Sequence, residues 1–248
     1  MIPQIFFISL YFQCISNRCN RSITAIIKEQ GPPIFLTNHG ISFSFLKMRS
    51  RLILASESPR RYELLKKVGL DFDVIPSSIE EAFHRKESPK DHVLRLAEAK
   101  GLDIANQFPN RWVIAADTIV YVDRSILGKP RDRKEAMEML RKLSGKEHRV
   151  LTGFSVHHLE KGKGDQKAVQ TVVKVKPLKP AEMEWYVRTG EPFDKAGGYA
   201  IQGIGSFMIE SIHGSYTNVV GLPLCELVEM LNRLGAISIS ERGMRIAE

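Results

Sequence analysis

Cysteine is scarce in this chain: Cys14, Cys19 and Cys225 are the whole complement in 248 residues. An odd number so widely spread makes neither a disulfide framework nor a zinc-ligand pattern, and it fits a reducing compartment. The seven histidines include no HExxH pair, which excludes the helical two-histidine metal site. No GK[ST] closes a glycine-rich loop after a strand, so there is no P-loop. Gly197-Gly198 and Gly203-Gly205 lack dinucleotide-fingerprint spacing, and no G-x-S-x-G elbow is present for a serine hydrolase. The apolar, aromatic run from Met1 to Phe12 lacks a basic flank and is too short to span a bilayer. Aromatics are not interleaved with basic residues as on a single-strand nucleic-acid platform.

What is present describes an ordinary soluble globular chain, 43% hydrophobic and 26% charged, long enough for a sizeable core. The net charge of +8 favours an anionic partner: nucleic acid, a membrane surface or a phosphorylated small molecule. Residues 1–48 stand apart. Arg18, Arg21, Lys28 and Lys47 face one acid, Glu29, so this segment supplies +3 of the total and dilutes the case for nucleic acid. Basic, Ser-containing and acid-poor, it meets the requirements of a mitochondrial transit segment. The favoured expectation is that Met48 is the natural start, because Met48-Arg49-Ser50-Arg51 leads straight into a first strand, with a weak secretory signal as the third alternative.

From residue 51 regular patterns begin. Leu52 to Ala55 reads as a buried strand; Ser58 caps a helix with Pro59 at N1, a stripe of Leu64, Leu65 and Val68, and Gly69 at its end. Phe72 to Ile75 suggests a second strand, and Pro89 opens a long helix with Lys100 inside it. A helix from about Asp132 to Leu143 follows, then strands at Arg149–Val156 and Val169–Val175 separated by a Lys/Gly loop. A helix opens at Pro180, a strand covers Phe207–Ile212, and the last helix runs from Leu224 to Leu234. Strands and helices alternate early and meander later, so the fold class is α/β with a mixed sheet and flanking helices. The long meander makes two lobes around a cleft plausible. The domain is expected over 49–236, with a flexible tail at 237–248.

The stretch that organises the chain is WVIAADTIVYVDRSILGKPR, Trp112 to Arg131. Two β-rich runs flank a polar turn and predict a hairpin. If the turn centres on Asp123-Arg124, paired positions sum to 247, setting Lys129 beside Thr118 and one step from Asp117. Upstream, Ser-x-Ser-Pro-Arg-Arg places unpaired N–H groups, a hydroxyl and two guanidiniums at a helix start, where anions bind. A capped helix with surface arginines explains the same residues equally well. Glu80, Glu81 and Asp117 as oxygen ligands suit Mg²⁺ or Mn²⁺, with Arg60, Lys100, Lys129 and Lys195 as cations.

Four segments, SESPRRYELLKKVGL, AADTIV…GKPRD, LSGKEHRVLTG and KAGGYAIQGIGSFMIESIHGSYTNVVGLPL, resemble the Maf family of nucleotide pyrophosphatases in matching order over about residues 51–234. The resemblance implies two lobes around a cleft, a relation to inosine-triphosphate pyrophosphatases and a homodimer. It implies hydrolysis of a nucleoside triphosphate to the monophosphate and pyrophosphate with a divalent metal cation. Asp117 matches the family's catalytic acid, the proton acceptor. Arg60, Thr118 and Gln202 fall on positions that set base preference in the dTTP/UTP subgroup, and the 7-methyl-GTP subgroup differs after the Asp. Ser56, Arg60, Lys100 and Lys129 match phosphate-binding positions, and Glu81 with Asp117 would hold the metal. Glu57 departs from the small residue common there. The resemblance thus predicts a cytoplasmic housecleaning enzyme for dTTP, UTP and modified pyrimidine nucleotides, with no nucleic-acid or membrane partner. A 7-methyl-GTP pyrophosphatase and a non-catalytic nucleotide-binding regulator are the alternatives, and a mitochondrial address follows if residues 1–48 are a transit segment.

Overall fold

The computed structural model describes residues 51–84, 86–240 and 243–246, together with short strands nearer the N-terminus. The chain separates into two compact units, Met1–Arg49 and Ser50–Glu248. Within the first, β1 (Tyr11–Phe12), β2 (Ala25–Ile27), β3 (Ile34–Thr37) and β4 (Gly40–Ser42) pair antiparallel in chain order. The expectations of a start at Met48 or a targeting segment otherwise lie outside the described residues.

The second unit is organised by strand β7 (Trp112–Val122), eleven residues with nine of them buried. On one edge it pairs parallel with β5 (Leu52–Leu54), which pairs parallel with β6 (Asp73–Val74). On the other it pairs antiparallel with β9 (Glu147–His158), which continues to β10 (Lys163–Val175) and β11 (Ile209–His213). The short β8 (Ser125–Leu127) folds back on β7. The mixed sheet with flanking helices is therefore as the alternation predicts. The meander extends this same sheet: β9 and β10 pair from Lys163 back to His158, so the expected Lys/Gly loop is mostly strand.

Alternation along β7 divides the interior. Trp112, Ile114 and Ala116 join a core with Leu52, Leu54, α1 (Pro59–Lys67) and α6 (Leu224–Leu234). Val120 and Val122, on the same face, join a second core with α3 (Arg133–Leu143) and α4 (Pro180–Arg188). Thr118 falls between the two, so the cleft opens at this residue. The opposite face, through Val113, Ala115 and Ile119, is covered by α2 (Pro89–Gln107), whose buried stripe includes Val93, Ala97, Lys100 and Ile104. Gly153 lets α2 approach β9 closely, since a Cβ there would lie 2.3 Å from the Val93 carbonyl oxygen.

The hairpin register sums to 247 through Val120–Leu127, Tyr121–Ile126 and Val122–Ser125. Asp123 and Arg124 both take positive φ, 47° and 61°, which fits a twist-matched two-residue turn. Pairing ends at Leu127, however, so Lys129 is not set opposite Thr118; the Gly128 carbonyl instead accepts from Gly197 N–H at 2.9 Å. Two further expectations change. Phe207 and Met208, expected in the strand, instead end a 3₁₀ turn over Ile204–Met208 before β11, and α5 (Tyr216–Val220) precedes α6 as a separate turn. The segment read as a flexible tail carries an antiparallel pair, β12 (Ile237–Ser240) and β13 (Gly243–Ile246), anchored by buried Ile237.

Candidate active site

A notch in the sheet creates the site. Pairing of β7 to β5 ends at Leu54–Ile114 and pairing to β8 starts at Val120–Leu127. Among the described residues, Ala115–Ile119 thus has no strand partner on that edge. Side chains from both faces of β7 can reach the gap, which is how the neighbours Asp117 and Thr118 line one cavity. Its volume, about 380 Å³, is within the range of small-molecule sites.

Asp117 is 5% exposed and receives a hydrogen bond from Lys100 Nζ at 2.8 Å on Oδ1. The same ammonium reaches Glu81 Oε1 at 2.6 Å. Lys100 stands on the buried stripe of α2, one helical turn from Ala97 and from Ile104, so packing holds its stem while its head bridges two acids. Partial burial alone would raise the Glu81 carboxyl, but the bond and charge of Lys100, with Lys129 and Arg61, hold it below the usual carboxylate range. Glu80 is exposed and does not line the cavity.

Arg61 is the residue sequence reasoning undervalued. Its Nε donates to the Gly221 carbonyl (2.9 Å), Nη1 to Ser56 Oγ (3.0 Å) and Nη2 to Thr118 Oγ1 (3.1 Å). Thr118 Oγ1 also pairs with Thr152 Oγ1 at 2.9 Å. Burial pushes the Arg61 guanidinium down, against the charges of Asp117 and Glu81. The signal was available: Leu64, Leu65 and Val68 lie three, four and seven residues beyond Arg61, so the stripe of α1 points Arg61, not Arg60, inward. Arg60 turns towards the cleft mouth, where Nη1 donates to Asp194 Oδ2 (2.9 Å) and Nη2 to the Asp194 carbonyl (3.3 Å).

Lys129 and Gln202 line the cavity, and neither has a side-chain hydrogen bond or ion pair among the described residues. Lys195 is committed to the protein, donating to Asp194 Oδ1 and to the Glu191 carbonyl. All eight predicted site residues (Ser56, Arg60, Glu81, Lys100, Asp117, Thr118, Lys129 and Gln202) therefore line a single cavity.

Carboxylate oxygens and no sulfur or imidazole suit a hard cation. Lys100 uses one oxygen each of Glu81 and Asp117, and the second oxygen of each is the donor a divalent ion would take. No group of three or more His, Cys, Asp or Glu side chains among the described residues could hold a metal alone, so such an ion would complete its shell with water and substrate phosphate.

The dTTP/UTP pyrophosphatase of Syntrophotalea carbinolica is 52% identical over 192 residues, covering 77% of this chain and 87% of that protein. Those of Geotalea uraniireducens and Geobacter sulfurreducens are 50% and 51% identical, with 77% and 76% of this chain and 99% of each relative covered. The solved structure of the Staphylococcus aureus Ham1 protein aligns with a TM-score of 0.36 at 16% identity over 64% of this chain and 79% of that one, too slight a likeness to bear on the fold. A family model described as Maf-like protein matches residues 51–234, which span the sheet, the notch and every cavity-lining residue named above. The chain belongs to the Maf family.

Proposed function

We propose that this chain hydrolyses dTTP and UTP to the monophosphate and pyrophosphate, keeping such nucleotides, including modified pyrimidine forms, out of the pool. The observation that carries the reading is the Asp117–Lys100–Glu81 cluster, with Asp117 and Lys100 buried, in the same cavity as Lys129 and Gln202, neither of which has a side-chain hydrogen bond among the described residues. Relatives about 50% identical named dTTP/UTP pyrophosphatase support it.

In this reading Asp117 accepts a proton from water as the water oxygen bonds to the α-phosphorus. The bond from that phosphorus to the bridging oxygen breaks, and pyrophosphate leaves. Lys100 and Lys129 neutralise the departing phosphates, and Ser56 and Arg61 present donors at the start of α1. Mg²⁺ or Mn²⁺ held by Glu81 and Asp117 would supply charge stabilisation for the triphosphate. Gln202 offers both a donor and an acceptor, as a pyrimidine O4/N3–H edge requires. The reading carries with it a cytoplasmic enzyme acting as a homodimer; among the described residues no helix is long and apolar enough to cross a membrane.

Pyrophosphate release with Mg²⁺ or Mn²⁺ across dTTP, UTP, CTP and 7-methyl-GTP tests it. Release from dTTP and UTP above the other two is expected. Preference for 7-methyl-GTP, or nucleotide binding without release, would overturn it.

A further inference from the structure

Gln202 has no side-chain partner among the described residues, so its placement depends on how its backbone is held. Gly203 follows at φ +91°, and Gly205 stands two residues further on. A segment with two such permissive residues loses much conformational freedom when ordered, so something must hold it. That group is Glu191. Its Oε1 accepts from Gly205 N–H at 2.8 Å and from the Tyr186 hydroxyl at 2.9 Å, and its Oε2 accepts from Ile204 N–H at 2.9 Å. The Tyr186 hydroxyl in turn accepts from Ala200 N–H at 3.2 Å. Gln202 is therefore clamped on both sides, at residue 200 and at residues 204–205, through one carboxylate and one phenol. A Cβ on Gly203 would meet Glu191 Oε2 at 2.6 Å, so the absence of a side chain there is part of the clamp.

The backbone of the same residue governs the other rim of the cleft. The Glu191 carbonyl accepts from Lys195 Nζ at 2.8 Å, Lys195 pairs with Asp194, and Asp194 holds Arg60. Glu191 thus connects to Gln202 through its carboxylate and to Arg60 through its carbonyl. It does not line the cavity.

We propose that Glu191 is the positioning residue for base selection: it sets where Gln202 stands without touching the nucleotide. This rests on the dTTP/UTP reading of the cavity. Bonds to an ionised acceptor are the stronger kind, and two backbone N–H groups sharing one carboxylate fix the turn's orientation as well as its place. Asp117, Lys100 and Glu81 lie on other elements and make no bond to this clamp. Loss of the carboxylate should therefore act on recognition more than on the chemical step.

The test is steady-state pyrophosphate release from dTTP, UTP and CTP by the full chain and its variants. Glu191→Ala should lower kcat/KM for dTTP and UTP about 100-fold, the scale of a misplaced positioning contact. The loss should fall mainly in KM, and the preference over CTP should narrow. Glu191→Gln keeps one acceptor oxygen and should restore part of the preference. Should Glu191→Ala fail to fold, Tyr186→Phe removes one bond to the carboxylate from within the second core and should narrow the preference in the same direction, by less. A fall in kcat shared equally by all three nucleotides, with an unchanged preference ratio, would overturn the proposal. Wild-type protein that releases no pyrophosphate from dTTP or UTP overturns the reading of the cavity instead, and this inference falls with it.

Discussion

The two walls of the cleft are built differently. On the acidic wall, Asp117 and Lys100 stand inside β7 and α2, both at buried positions of regular elements. On the opposite wall, Gln202, Asp194 and Lys195 stand on 3₁₀ turns and the links between them, with Gly190, Gly197, Gly198 and Gly203 all at positive φ. In the proposed reading, Asp117 and Lys100 are carried by a strand and a helix, while Glu81 and Lys129 stand on loops. Of the residues the proposed function gives to base preference, Gln202 is carried by a loop braced by hydrogen bonds, Thr118 by β7 and Arg60 by α1. The difference separates a wall set by regular elements from one set by side-chain bonds to backbone.

Four measurements break or sharpen this contrast. The largest effect belongs to the acidic wall: Asp117→Asn should lower kcat by about 10²–10⁴-fold, the range of a general base, while nucleotide binding is largely retained. Near-normal kcat in that variant would sink the assignment.

His148 comes second and tests the floor beneath the opposite wall. Its Nε2 lies 2.6 Å from the Tyr199 hydroxyl, and Tyr199 lines the cavity. Burial lowers the imidazole to about 4 from an ordinary 6.5. The unfolded chain therefore takes up a proton between pH 6.5 and 4 that the folded chain refuses. This contribution is fully present above the unfolded value and is lost as pH falls towards the folded one, by up to about 3 kcal/mol. Urea unfolding at pH 7 and pH 4.5 should show that loss, and His148→Gln should flatten it. An equal pH slope in both proteins would remove His148 as the cause.

Gly153→Ala is third. The new Cβ would press on the Val93 backbone and lift α2, and with it Lys100, off the sheet, at a cost of about 1–3 kcal/mol from overpacking. A melting temperature unchanged from wild type would mean α2 is less tightly seated than its approach to β9 indicates. The smallest effect is expected at Arg60→Ala. The Arg60–Asp194 pair is partly exposed, so its loss should change stability by less than about 1 kcal/mol. It should raise KM for dTTP more than it lowers kcat. A larger effect on kcat than on KM would move Arg60 to the acidic wall.

Much of this contrast was legible in the residues, and unevenly so. The regular wall follows from periodicity: the β7 run, the helix starts at Pro59 and Pro89 and the stripe of α2 are all local patterns, although Ser58, expected as a cap, makes no side-chain capping bond. The hairpin register was legible too, from the polar turn between two β-rich runs, although pairing stops at Leu127 and leaves Lys129 outside it. On the irregular wall Gln202 was found by resemblance to a family, Lys195 was noted only as a cation, and Asp194 was not singled out, since no period marks a 3₁₀ turn. Nothing local announces that Glu191 will bond backbone thirteen and fourteen residues away. Arg61 was missed for another reason: two adjacent arginines look alike in composition, and only the phase of the stripe that follows separates the inward one from the outward one. The sheet notch was invisible for a third, because it depends on where two different partners of β7 stop.

The bonds of Arg61 also have a bearing on how the protein acquires its activity. Its guanidinium joins Ser56 and Thr118 to a carbonyl 160 residues further along the chain. Closing a contact of such sequence separation costs more chain entropy than closing a local one. The cleft is therefore complete only when Gly221, at the end of α5, meets Arg61, so a chain lacking the segment that carries α5 would lose a bond that holds the cleft together far upstream.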